Sequence, residues 1–490
     1  MSTVSRVDVS RPYFIGIGGI GMSGLARILA QRGANVAGSD VKETTIITAL
    51  RQIGCEIHIG HDPQQVLDAS CVVVSQAIGE SNVELKAARE HGLHVVHRAQ
   101  ALAAMMAGYR SVAVAGTHGK SSTTAMLAVA FQGLGLDPSF ALGAELNEPG
   151  SNAHHGTGDI FLAEADESDR SFYYLRPEVG IVLNVEEDHH DHYSSLEEHI
   201  ASYETFAHGL QPGGTLVTSA EDAGARELVM RLRESAPELT VITYGEASDA
   251  DVHLVKVASH GFSSEATVRF PGGREVTVVL NVAGRHMAHN ATGALAVGWA
   301  LGVDPEAMGP VLGGYQGIRR RFTRTGEAGG VLVVDSYAHH PTEIAADLQT
   351  ARQAGDDSGR VVVVFQPHLP SRTQALGEEI GKVLASSDLA VIMEVYQGRE
   401  DPVPGVGSHI VAHAALEAGA VVRMEPCWMA VAGVVAQLAR SGDLVLTMGA
   451  GDVTEIGPLI LEEIKNRAGG AQPSESLGVI VTLGEAGERR

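Results

Sequence analysis

Residues 112–124 read Val-Ala-Val-Ala-Gly-Thr-His-Gly-Lys-Ser-Ser-Thr-Thr: a short apolar run, a glycine-rich turn, and Gly-Lys-Ser where a helix would begin. In such a turn, backbone N–H groups and the helix N-terminus converge on phosphate, a lysine reaches the outer phosphates and a serine hydroxyl ligates Mg²⁺. The turn is shorter than the G-x-x-x-x-G-K-[ST] pattern, because its first glycine is Gly116. The stretch predicts a strand, a phosphate loop and a helix at a nucleoside triphosphate site, against the alternative of an ordinary glycine-rich turn. The residues assigned to this site are Gly116, Thr117, His118, Gly119, Lys120, Ser121 and Ser122.

Length and composition limit the class of protein. The chain has 490 residues, enough for about three domains, and 44% of them are hydrophobic, so each domain can bury a core. The net charge of −24 argues against nonspecific binding to nucleic acid or to an anionic membrane, since both need a basic surface. The three cysteines, Cys55, Cys71 and Cys427, lack metal-binding spacing and favour a reducing compartment, so we expect a cytoplasmic protein.

Strand-like runs of Val, Ile and Leu alternate with Ala-rich amphipathic segments, a pattern typical of parallel α/β layers. Three domains are predicted, at residues 1–108, 109–324 and 325–490. The third contains strand-like runs at Val331–Val334, Val361–Phe365 and Leu444–Thr447. Beyond about Ala468 the composition predicts a loosely held tail, although Val479–Val481 could still pair with a strand.

The first domain opens on a second glycine-rich loop, Gly16-Ile17-Gly18-Gly19-Ile20-Gly21, between a strand at Tyr13–Ile15 and a helix at about Met22–Gln31. A second strand, Asn35–Gly38, ends at Ser39-Asp40, where an acidic side chain could hold a ribose hydroxyl. Alone, this G-x-G-x-x-G pattern favours NAD or FAD and an oxidoreductase. The same backbone geometry serves any pyrophosphate, including that of a nucleotide sugar. A third interpretation is that the glycines only allow close helix–strand packing.

Two acidic runs follow strand-like segments downstream of the phosphate loop. Glu164-Ala165-Asp166-Glu167-Ser168-Asp169 comes first, and Asn184-Val185-Glu186-Glu187-Asp188-His189-His190-Asp191-His192 comes second. Carboxylates and imidazoles at the carboxyl ends of neighbouring strands can hold Mg²⁺ beside phosphates. Solvated acidic loops are the plain alternative. The histidine-rich run also suggests the alternative hypothesis of a dinuclear zinc hydrolase. Such an enzyme would have no use for a phosphate loop.

Together these motifs resemble the Mur ligases, the amino-acid-adding ligases of peptidoglycan synthesis, from Gly16 to about Asp452. The resemblance implies a Rossmann-like N-terminal domain that binds a UDP-sugar, a central P-loop α/β domain that binds ATP, and a Rossmann-like C-terminal domain that binds the amino acid. Glu164–Asp169 has the form expected of the alanine-adding branch, whereas relatives that recycle murein peptides usually differ at Ser168.

The resemblance also implies the reaction and its partners. An ATP-dependent ligase of this kind joins L-alanine to the lactyl carboxylate of UDP-N-acetylmuramic acid through an acyl phosphate, with ATP and Mg²⁺ at two metal positions. A murein-peptide-recycling ligase is the alternative within the family. We expect no nucleic-acid or membrane partner, and a monomer or a weak homodimer.

Functional residues carry over from the family position by position. The UDP-sugar residues are Gly16, Gly18, Gly19, Gly21, Ser39, Asp40, Ser75 and Arg98. Lys120 is assigned to the phosphates, Ser121 and Glu164 to one Mg²⁺, and His189 to the second metal position. His286 and Asn290 resemble the adenine-contacting pair and would share one side of a helix, although surface polar residues are the alternative.

The last domain supplies two more groups of residues by the same resemblance. Arg320 and Arg321 resemble the segment that meets the nucleotide, where a guanidinium can steady charge on a transferring phosphoryl group, although a run of three arginines is more often solvated. The residues assigned to alanine binding are Tyr337, His339, His368 and Arg372. Of these, Arg372 is the expected partner of the carboxylate.

The chain departs from the family pattern at two places. Ser336 replaces the second Asp of an Asp-Asp-Tyr segment, which is expected near the ATP ribose. Since neighbouring strand residues face opposite sides, Asp335 cannot replace it, and the Ser336 hydroxyl is expected to make a weaker hydrogen bond there. Leu369-Pro370 stands where many members carry Arg-Tyr, so the resemblance does not extend to a second cation in the amino-acid pocket.

Overall fold

A computed structural model describes residues 7–144, 152–168, 170–188, 192–355, 359–398, 400–468 and 480–481. Over these residues the chain forms three β-sheets flanked by helices, which confirms the predicted α/β class. By their contacts the residues divide into two compact units. The first comprises Met1–Val257, Glu265–Leu280 and Ala288–Ile318, and the second comprises Ala258–Ser264, Asn281–Met287 and Arg319–Arg490. The domain boundaries after residues 108 and 324 stay predictions.

The first sheet lies in the first unit. Its strands are β1 (Pro12–Ile15), β2 (Ala37–Asp40), β3 (Glu56–Ile59), β4 (Cys71–Val74) and β5 (Val95–His97). The helices around it are α1 (Ile20–Gln31), α2 (Thr45–Gln52), a 3-10 turn (Pro63–Val66), α3 (Val83–Glu90) and α4 (Arg98–Met106). The order is β3-β2-β1-β4-β5, all neighbours parallel, so the strand order reverses at β1. Ligands of such sheets bind at this reversal, beyond the carboxyl ends of the strands.

The second sheet has ten strands. They are β6 (Arg110–Ala115), β7 (Ser139–Ala141), β8 (Ala153–His154), β9 (Ile160–Glu164), β10 (Val179–Val182), β11 (Thr215–Ser219), β12 (Thr240–Gly245), β13 (Val252–His260), β14 (Ser263–Arg269) and β15 (Glu275–Leu280). The helices are α5 (Lys120–Gly133), a 3-10 turn (Ser171–Tyr174), α6 (Leu196–His208), α7 (Ala223–Ser235), α8 (Arg285–Ala300) and α9 (Pro305–Leu312). The order is β15-β14-β13-β12-β11-β10-β6-β9-β7-β8.

The centre of this sheet positions the phosphate loop. β6 is completely apolar from Val112 onward and lies parallel between β10 and β9, as the buried run predicted. Val114 pairs with Glu164 and Ala115 pairs with Val182, so the three strands end level with one another. Glu164 is the last residue of β9, although the sequence placed it after the strand. The segments that follow β6, β9 and β10 therefore meet at one sheet edge.

The third sheet lies in the second unit. Its strands are β16 (Thr323–Ala328), β17 (Val331–Ser336), β18 (Val361–Phe365), β19 (Leu389–Ile392), β20 (Val422–Met424), β21 (Leu444–Met448) and β22 (Ile480–Val481). The helices are α10 (Pro341–Ala354), α11 (Pro370–Leu384), α12 (His409–Glu417), α13 (Trp428–Leu438), a 3-10 turn (Asp452–Glu455) and α14 (Ile456–Ala468). The order is β16-β17-β21-β18-β19-β20-β22, with the two outer strands antiparallel to their neighbours.

The inner strands of this sheet are buried on both faces. All five residues of β18 are buried, and alternate residues of β18 belong to two separate apolar clusters. This arrangement explains why the run reads as continuous valine in place of an alternating pattern. The predicted pairing near the C-terminus is confirmed for Ile480 and Val481, while the remainder of the predicted loose tail lies outside the described residues. Within the described part of the chain, no helix is long and apolar enough to cross a bilayer.

Candidate active site

The turn after β6 has the backbone form of a phosphate loop. Gly116 has a φ of 135° and Gly119 a φ of 84°, both in the region that favours glycine, and α5 begins directly afterwards at Lys120. The His118 N–H donates to the side-chain oxygen of Asn184, the second residue after β10, over 2.7 Å. The loop and the N-terminus of α5 thus lie at the carboxyl edge of the sheet, as predicted for phosphate binding.

Lys120 is folded back onto this loop. Its ammonium donates to the carbonyls of Gly116 (2.6 Å) and Thr117 (3.2 Å) and to Glu167 Oε1 (2.7 Å). Burial lowers the pKa of Lys120, but the charges of Glu167 and Asp166 outweigh burial, and the net shift is upward. The side chain therefore carries its charge beside the loop. Glu167 is fully buried and belongs to the first acidic run, but no role for it was predicted from the sequence.

The structure brings together the two described residues predicted to hold Mg²⁺. The Ser121 hydroxyl lies 2.9 Å from both carboxylate oxygens of Glu164, and the Gly143 N–H donates to Glu164 Oε2 over 2.7 Å. Burial raises the pKa of Glu164, while Lys120 opposes that shift. A hydroxyl and a carboxylate are hard oxygen donors of the kind that Mg²⁺ prefers next to phosphates. The donor set thus fits the predicted metal position.

The second predicted metal position cannot be located, because His189 lies outside the described residues, as do His190, Asp191 and Asp169. The preceding residues are described and turn toward the phosphate loop. The Glu186 N–H donates to the Thr117 hydroxyl over 2.9 Å. The segment after β10 therefore runs alongside the loop, and the assignment of His189 stays a prediction.

Arg98, assigned to the UDP-sugar, contacts the acidic run after β9. It donates to Asp166 Oδ2 over 2.6 Å. Burial raises the pKa of Asp166, but Arg98 and Lys120 outweigh burial and lower the pKa to about 2. A Cβ placed on Gly21 would lie 3.5 Å from Arg98 Nη1, so the arginine also lies against the first glycine loop. Arg98 thus connects the first glycine loop to the acidic run after β9 within the first unit.

The first glycine loop closes over the end of β2. The Gly16 and Ile17 N–H groups both donate to the Ser39 carbonyl, over 2.9 and 3.0 Å. The Gly18 N–H donates to Asp40 Oδ2 over 2.9 Å, and a Cβ on Gly18 would lie 2.9 Å from that oxygen. One oxygen of Asp40 therefore shapes the loop. Gly19 precedes α1 and Ser75 follows β4, so the predicted residues gather where the strand order reverses.

A buried polar cluster beneath this loop was not predicted. Glu84, in the first turn of α3, is fully buried and accepts hydrogen bonds from the Tyr13 hydroxyl (2.7 Å) and the Ser39 hydroxyl (2.6 Å). His61 Nδ1 lies 2.7 Å from Glu84 Oε2, the oxygen that also accepts from Ser39, whereas Tyr13 donates to Oε1. The sequence contains no motif that pairs these residues, since they come from four separate segments.

Asn290, assigned to adenine, lies against the phosphate loop. A Cβ placed on Gly119 would meet the Asn290 side-chain oxygen at 2.8 Å. His286 and Asn290 lie four residues apart on α8, as predicted. His289, between them, pairs with Glu246 at 2.7 Å. The position of Asn290 supports a nucleotide role for this helix.

Arg320 and Arg321 are both held at the carboxyl edge of the third sheet. Arg320 Nη2 donates to the carbonyls of Gly449 (2.6 Å) and Gly451 (3.0 Å). Arg321 donates to Glu343 Oε1 over 2.9 Å. Burial lowers the pKa of Arg321, but Glu343 outweighs burial, and the net shift is upward. Both guanidinium groups therefore have partners, in contrast to the solvated run that was the alternative.

Three of the four predicted alanine-binding side chains contact one another as a chain of rings. The ring centroids of Tyr337 and His339 are 5.3 Å apart, and those of His339 and His368 are 6.1 Å apart. Tyr396, which was not predicted, continues the chain by stacking on His368 at 5.7 Å. Arg372 lies in the first turn of α11, four residues after His368. A signal for Tyr396 existed, since it follows the buried strand β19 at this sheet edge.

The two departures from the family pattern behave differently. Ser336 is 1% exposed and its hydroxyl donates to Asp347, so the expected hydrogen bond to a ribose hydroxyl is not supported. Asp335 instead bonds Thr447 and Thr454, which confirms that the two neighbours face opposite sides. At the other departure, Leu369 has a φ of 67°, a conformation that costs roughly 1 kcal/mol or more for a residue with a side chain.

The described residues line cavities in both units. One of about 330 Å³ lies in the second unit and is lined by Tyr396, Gln366 and Asp452 among others, so it borders the ring chain. Another of about 610 Å³ lies along α7 and β12, and its described lining contains no predicted site residue. The smaller cavity therefore borders the residues that are predicted to bind the amino acid.

Comparison with known protein families gives a match over most of the chain. Sequence models match for the Mur ligase family catalytic domain over residues 11–110, the Mur ligase middle domain over residues 114–298, and the Mur ligase glutamate ligase domain over residues 320–451. The three matches follow the order of the three sheets along the chain.

Individual relatives agree with the family match. A Streptomyces coelicolor protein named UDP-N-acetylmuramate–L-alanine ligase is 56% identical over 457 residues, covering 93% of this chain and 98% of the relative. A Saccharopolyspora erythraea protein of the same name is 46% identical and covers 96% and 97%. The crystal structure of UDP-N-acetylmuramate–alanine ligase from Thermotoga maritima has a TM-score of 0.75 at 26% identity and covers 93% and 99%. A murein peptide ligase from Psychrobacter arcticus, with a TM-score of 0.66 at 22% identity and cover of 93% and 99%, is similar in fold.

Proposed function

The chain belongs to the Mur ligase family, and we propose that it joins L-alanine to the lactyl carboxylate of UDP-N-acetylmuramic acid with ATP, in peptidoglycan precursor synthesis. Relatives that match nearly the whole chain carry the name of this activity. The observation in the structure that carries the proposal is the cluster of Lys120, Ser121 and Glu164 at the loop after β6.

The alternatives have less support. Relatives at 45–56% identity carry the alanine ligase name, whereas the murein peptide ligase is a match of fold at 22% identity. A dinucleotide-dependent oxidoreductase and a zinc hydrolase both disagree with membership of this family. The glycine loop after β1 is accordingly assigned to a UDP-sugar, with Ser39, Asp40, Ser75 and Arg98 beside it.

The proposed chemistry follows from what an amide bond requires. An oxygen of a carboxylate is a poor leaving group, so the terminal phosphoryl group of ATP is first transferred to the lactyl carboxylate, and ADP leaves. The amine of L-alanine then attacks the acyl carbon, loses a proton, and phosphate leaves. Positioning and charge neutralisation drive both steps, and no nucleophilic side chain is required.

Each residue has a defined task in this scheme. Lys120 exchanges the loop carbonyls for phosphate oxygens when the triphosphate binds, and Glu167 holds its ammonium until then. Ser121 and Glu164 would hold Mg²⁺, which when bound neutralises charge on the transferring phosphoryl group. His189 stays the proposed ligand at the second metal position.

The amino-acid site is proposed for the second unit. Tyr337, His339 and His368 supply its ring wall, and Arg372 pairs with the carboxylate of L-alanine. Arg320 is held next to Tyr337, with its guanidinium carbon 4.8 Å from the ring centroid. This contact holds the Arg320 guanidinium at the same sheet edge as the residues that are proposed to bind L-alanine.

We also propose a cytoplasmic protein that is a monomer or a weak homodimer. Cys55 and Cys71 are free and buried, and burial raises the pKa of each thiol to about 11. Such thiols are protonated and unreactive at neutral pH, which fits a compartment where disulfides are not needed.

Phosphate release tests the proposal. The protein is incubated with ATP and Mg²⁺, with UDP-N-acetylmuramic acid or L-alanine left out in turn. Release should require both substrates. Release that ignores either one would contradict the ligase assignment, and oxidation or reduction of NAD(H) would restore the oxidoreductase.

A further inference from the structure

A carboxyl group of α10 is buried against the end of β17. Ser336, the last residue of β17, donates its hydroxyl hydrogen to Asp347, and the two residues are 1% and 7% exposed. The same hydroxyl oxygen accepts the Ala338 N–H over 3.0 Å. The serine therefore connects a helix carboxyl group to the backbone of the turn that follows the strand.

The same turn has further polar attachments. The His339 N–H donates to Glu343 Oε2 over 3.2 Å, and Glu343 also accepts from Arg321. The Tyr337 N–H donates to the Arg320 carbonyl over 2.6 Å. Glu343 and Asp347 are four residues apart, so both project from one side of α10. Residues 336–339 are thus held by two acidic side chains of one helix.

Burial of the Asp347 carboxyl group costs free energy, and this cost must be offset by the contacts of the group. Burial raises the pKa of Asp347 to about 7, the Ser336 hydroxyl opposes that rise, the Glu343 charge adds to it and the Arg321 charge opposes it. An unused carboxyl group in such a position costs more than an apolar side chain of the same size. Its hydrogen bond to Ser336 is the contact that offsets this cost.

We propose that Asp347 is a positioning residue for the amino-acid substrate: acting through Ser336, it holds residues 336–339 and so the rings of Tyr337 and His339. This inference rests on the proposed function, because these rings are the ones assigned to L-alanine. Asp347 itself touches no reacting atom. Its loss should therefore affect the KM for L-alanine more than the KM for ATP or for UDP-N-acetylmuramic acid.

An exchange of the two side chains gives a strict test. The family resemblance implies an aspartate at position 336, and in this chain the carboxyl group of the pair comes from α10 instead. The variants are D347S, which removes the carboxyl group, and S336D/D347S, which returns one carboxyl and one hydroxyl group to the same pair. Q349S changes an exposed residue of the same helix and serves as the control.

The wild-type enzyme is assayed first, since absence of L-alanine-dependent phosphate release would refute the proposed function and this inference together. With an active wild type, D347S should raise the KM for L-alanine about five- to tenfold, the loss expected for a disrupted hydrogen bond. S336D/D347S should restore that KM to within about twofold, and Q349S should leave it unchanged. Equal changes in all three KM values would indicate a purely structural role and overturn the inference.

If D347S folds poorly, D347N replaces it in the test, because asparagine keeps the side-chain volume and one acceptor oxygen. Unfolding in urea is measured for every variant to separate stability from KM. A rise in the KM for L-alanine in D347N, smaller than that of a folded D347S, supports the inference. An active wild type combined with an L-alanine KM unchanged in the folded variant leaves the ligase assignment intact and overturns the role of Asp347 alone.

Discussion

The ammonium group of Lys120 lies among oxygen atoms, with two loop carbonyls and the Glu167 carboxylate as hydrogen-bond partners. A triphosphate brings several negative oxygens to the same place. The ammonium can therefore exchange carbonyl and carboxylate oxygens for phosphate oxygens and keep hydrogen-bond partners throughout. This arrangement keeps the charge available at low desolvation cost when the nucleotide arrives.

Replacing Lys120 by alanine should lower kcat about 100-fold or more, because an electrostatic contact made to the transferring group is lost. Phosphate release with both substrates measures the change. Lys465→Ala, which removes an exposed lysine of α14, is the control and should keep full activity. Full activity in the Lys120 variant would refute the phosphate loop assignment.

Asp347 gives the protein a specific pH dependence of stability. The pKa of Asp347 rises from its ordinary value of 3.8 to about 7 in the folded protein, mainly through burial. The unfolded chain thus releases this proton at lower pH than the folded chain does. From about pH 4 to about pH 7, the group therefore lowers the free energy of unfolding, by at most about 1.4 kcal/mol per pH unit.

Asp347→Asn removes this titration, so the stability of wild type relative to D347N should fall as the pH rises through that window and level off above it. Urea unfolding of both proteins at several pH values measures the difference, in which the titrating groups remote from Asp347 cancel. A difference that is independent of pH would contradict a raised pKa at Asp347.

At the scale of elements, the phosphate loop depends on glycine for two separate reasons. Gly119 has a φ of 84°, and a Cβ there would also lie 2.8 Å from the Asn290 side chain. Gly33 has nearly the same φ, 86°, but a Cβ there would meet nothing within 4 Å. Comparing substitutions at Gly119 and Gly33 therefore separates the effect of backbone strain, which both share, from the effect of crowding, which only Gly119 has.

Gly119→Ala and Gly33→Ala should each lower the free energy of unfolding by roughly 1–2 kcal/mol, because alanine is strained at positive φ. Only Gly119→Ala should also weaken ATP binding in calorimetry. Equal ATP affinities for the two variants would mean that the loop after β6 does not bind the nucleotide.

Glu84 joins β1, β2 and α3 through hydrogen bonds to Tyr13, Ser39 and His61. Glu84→Gln keeps the shape of the side chain but replaces one acceptor oxygen by a donor NH₂ group. That group would face the Tyr13 or Ser39 hydroxyl, which already donates. The loss should be about 1–3 kcal/mol in the free energy of unfolding, with a higher KM for the sugar nucleotide. Glu90→Gln, at an exposed position of α3, should change neither quantity, and a silent Glu84→Gln would show that the cluster does not support the first loop.

Elements with a strong local signal could be predicted from the sequence. β18 is continuous valine ending in phenylalanine, and its predicted bounds, Val361–Phe365, are those observed. β2 begins at Ala37, two residues later than predicted, because the boundary of a short strand depends on its neighbours. Among the loop glycines, Gly16, Gly116 and Gly119 have a positive φ that favours glycine, whereas Gly19 has a φ of −64°.

At the scale of the whole molecule, the residues that motifs carry were predictable and their partners were not. Ser121 and Glu164 lie 43 positions apart and meet only because β6 and β9 are neighbours in the sheet. Glu84 and Asp347 act through buried contacts between distant segments, which no spacing along the chain reveals. A single sequence shows which chemistry is present, whereas the folded chain shows which groups support it.

In the proposed reaction, ATP activates a carboxylate of the sugar nucleotide as an acyl phosphate. Labelling the lactyl carboxylate of UDP-N-acetylmuramic acid with ¹⁸O tests this claim most directly, with the released phosphate analysed by mass spectrometry after reaction with ATP, Mg²⁺ and L-alanine. Each phosphate released should carry one labelled oxygen, because the bond from carbon to that oxygen breaks when the amine attacks. Phosphate without label, released in step with amide formation, would contradict it.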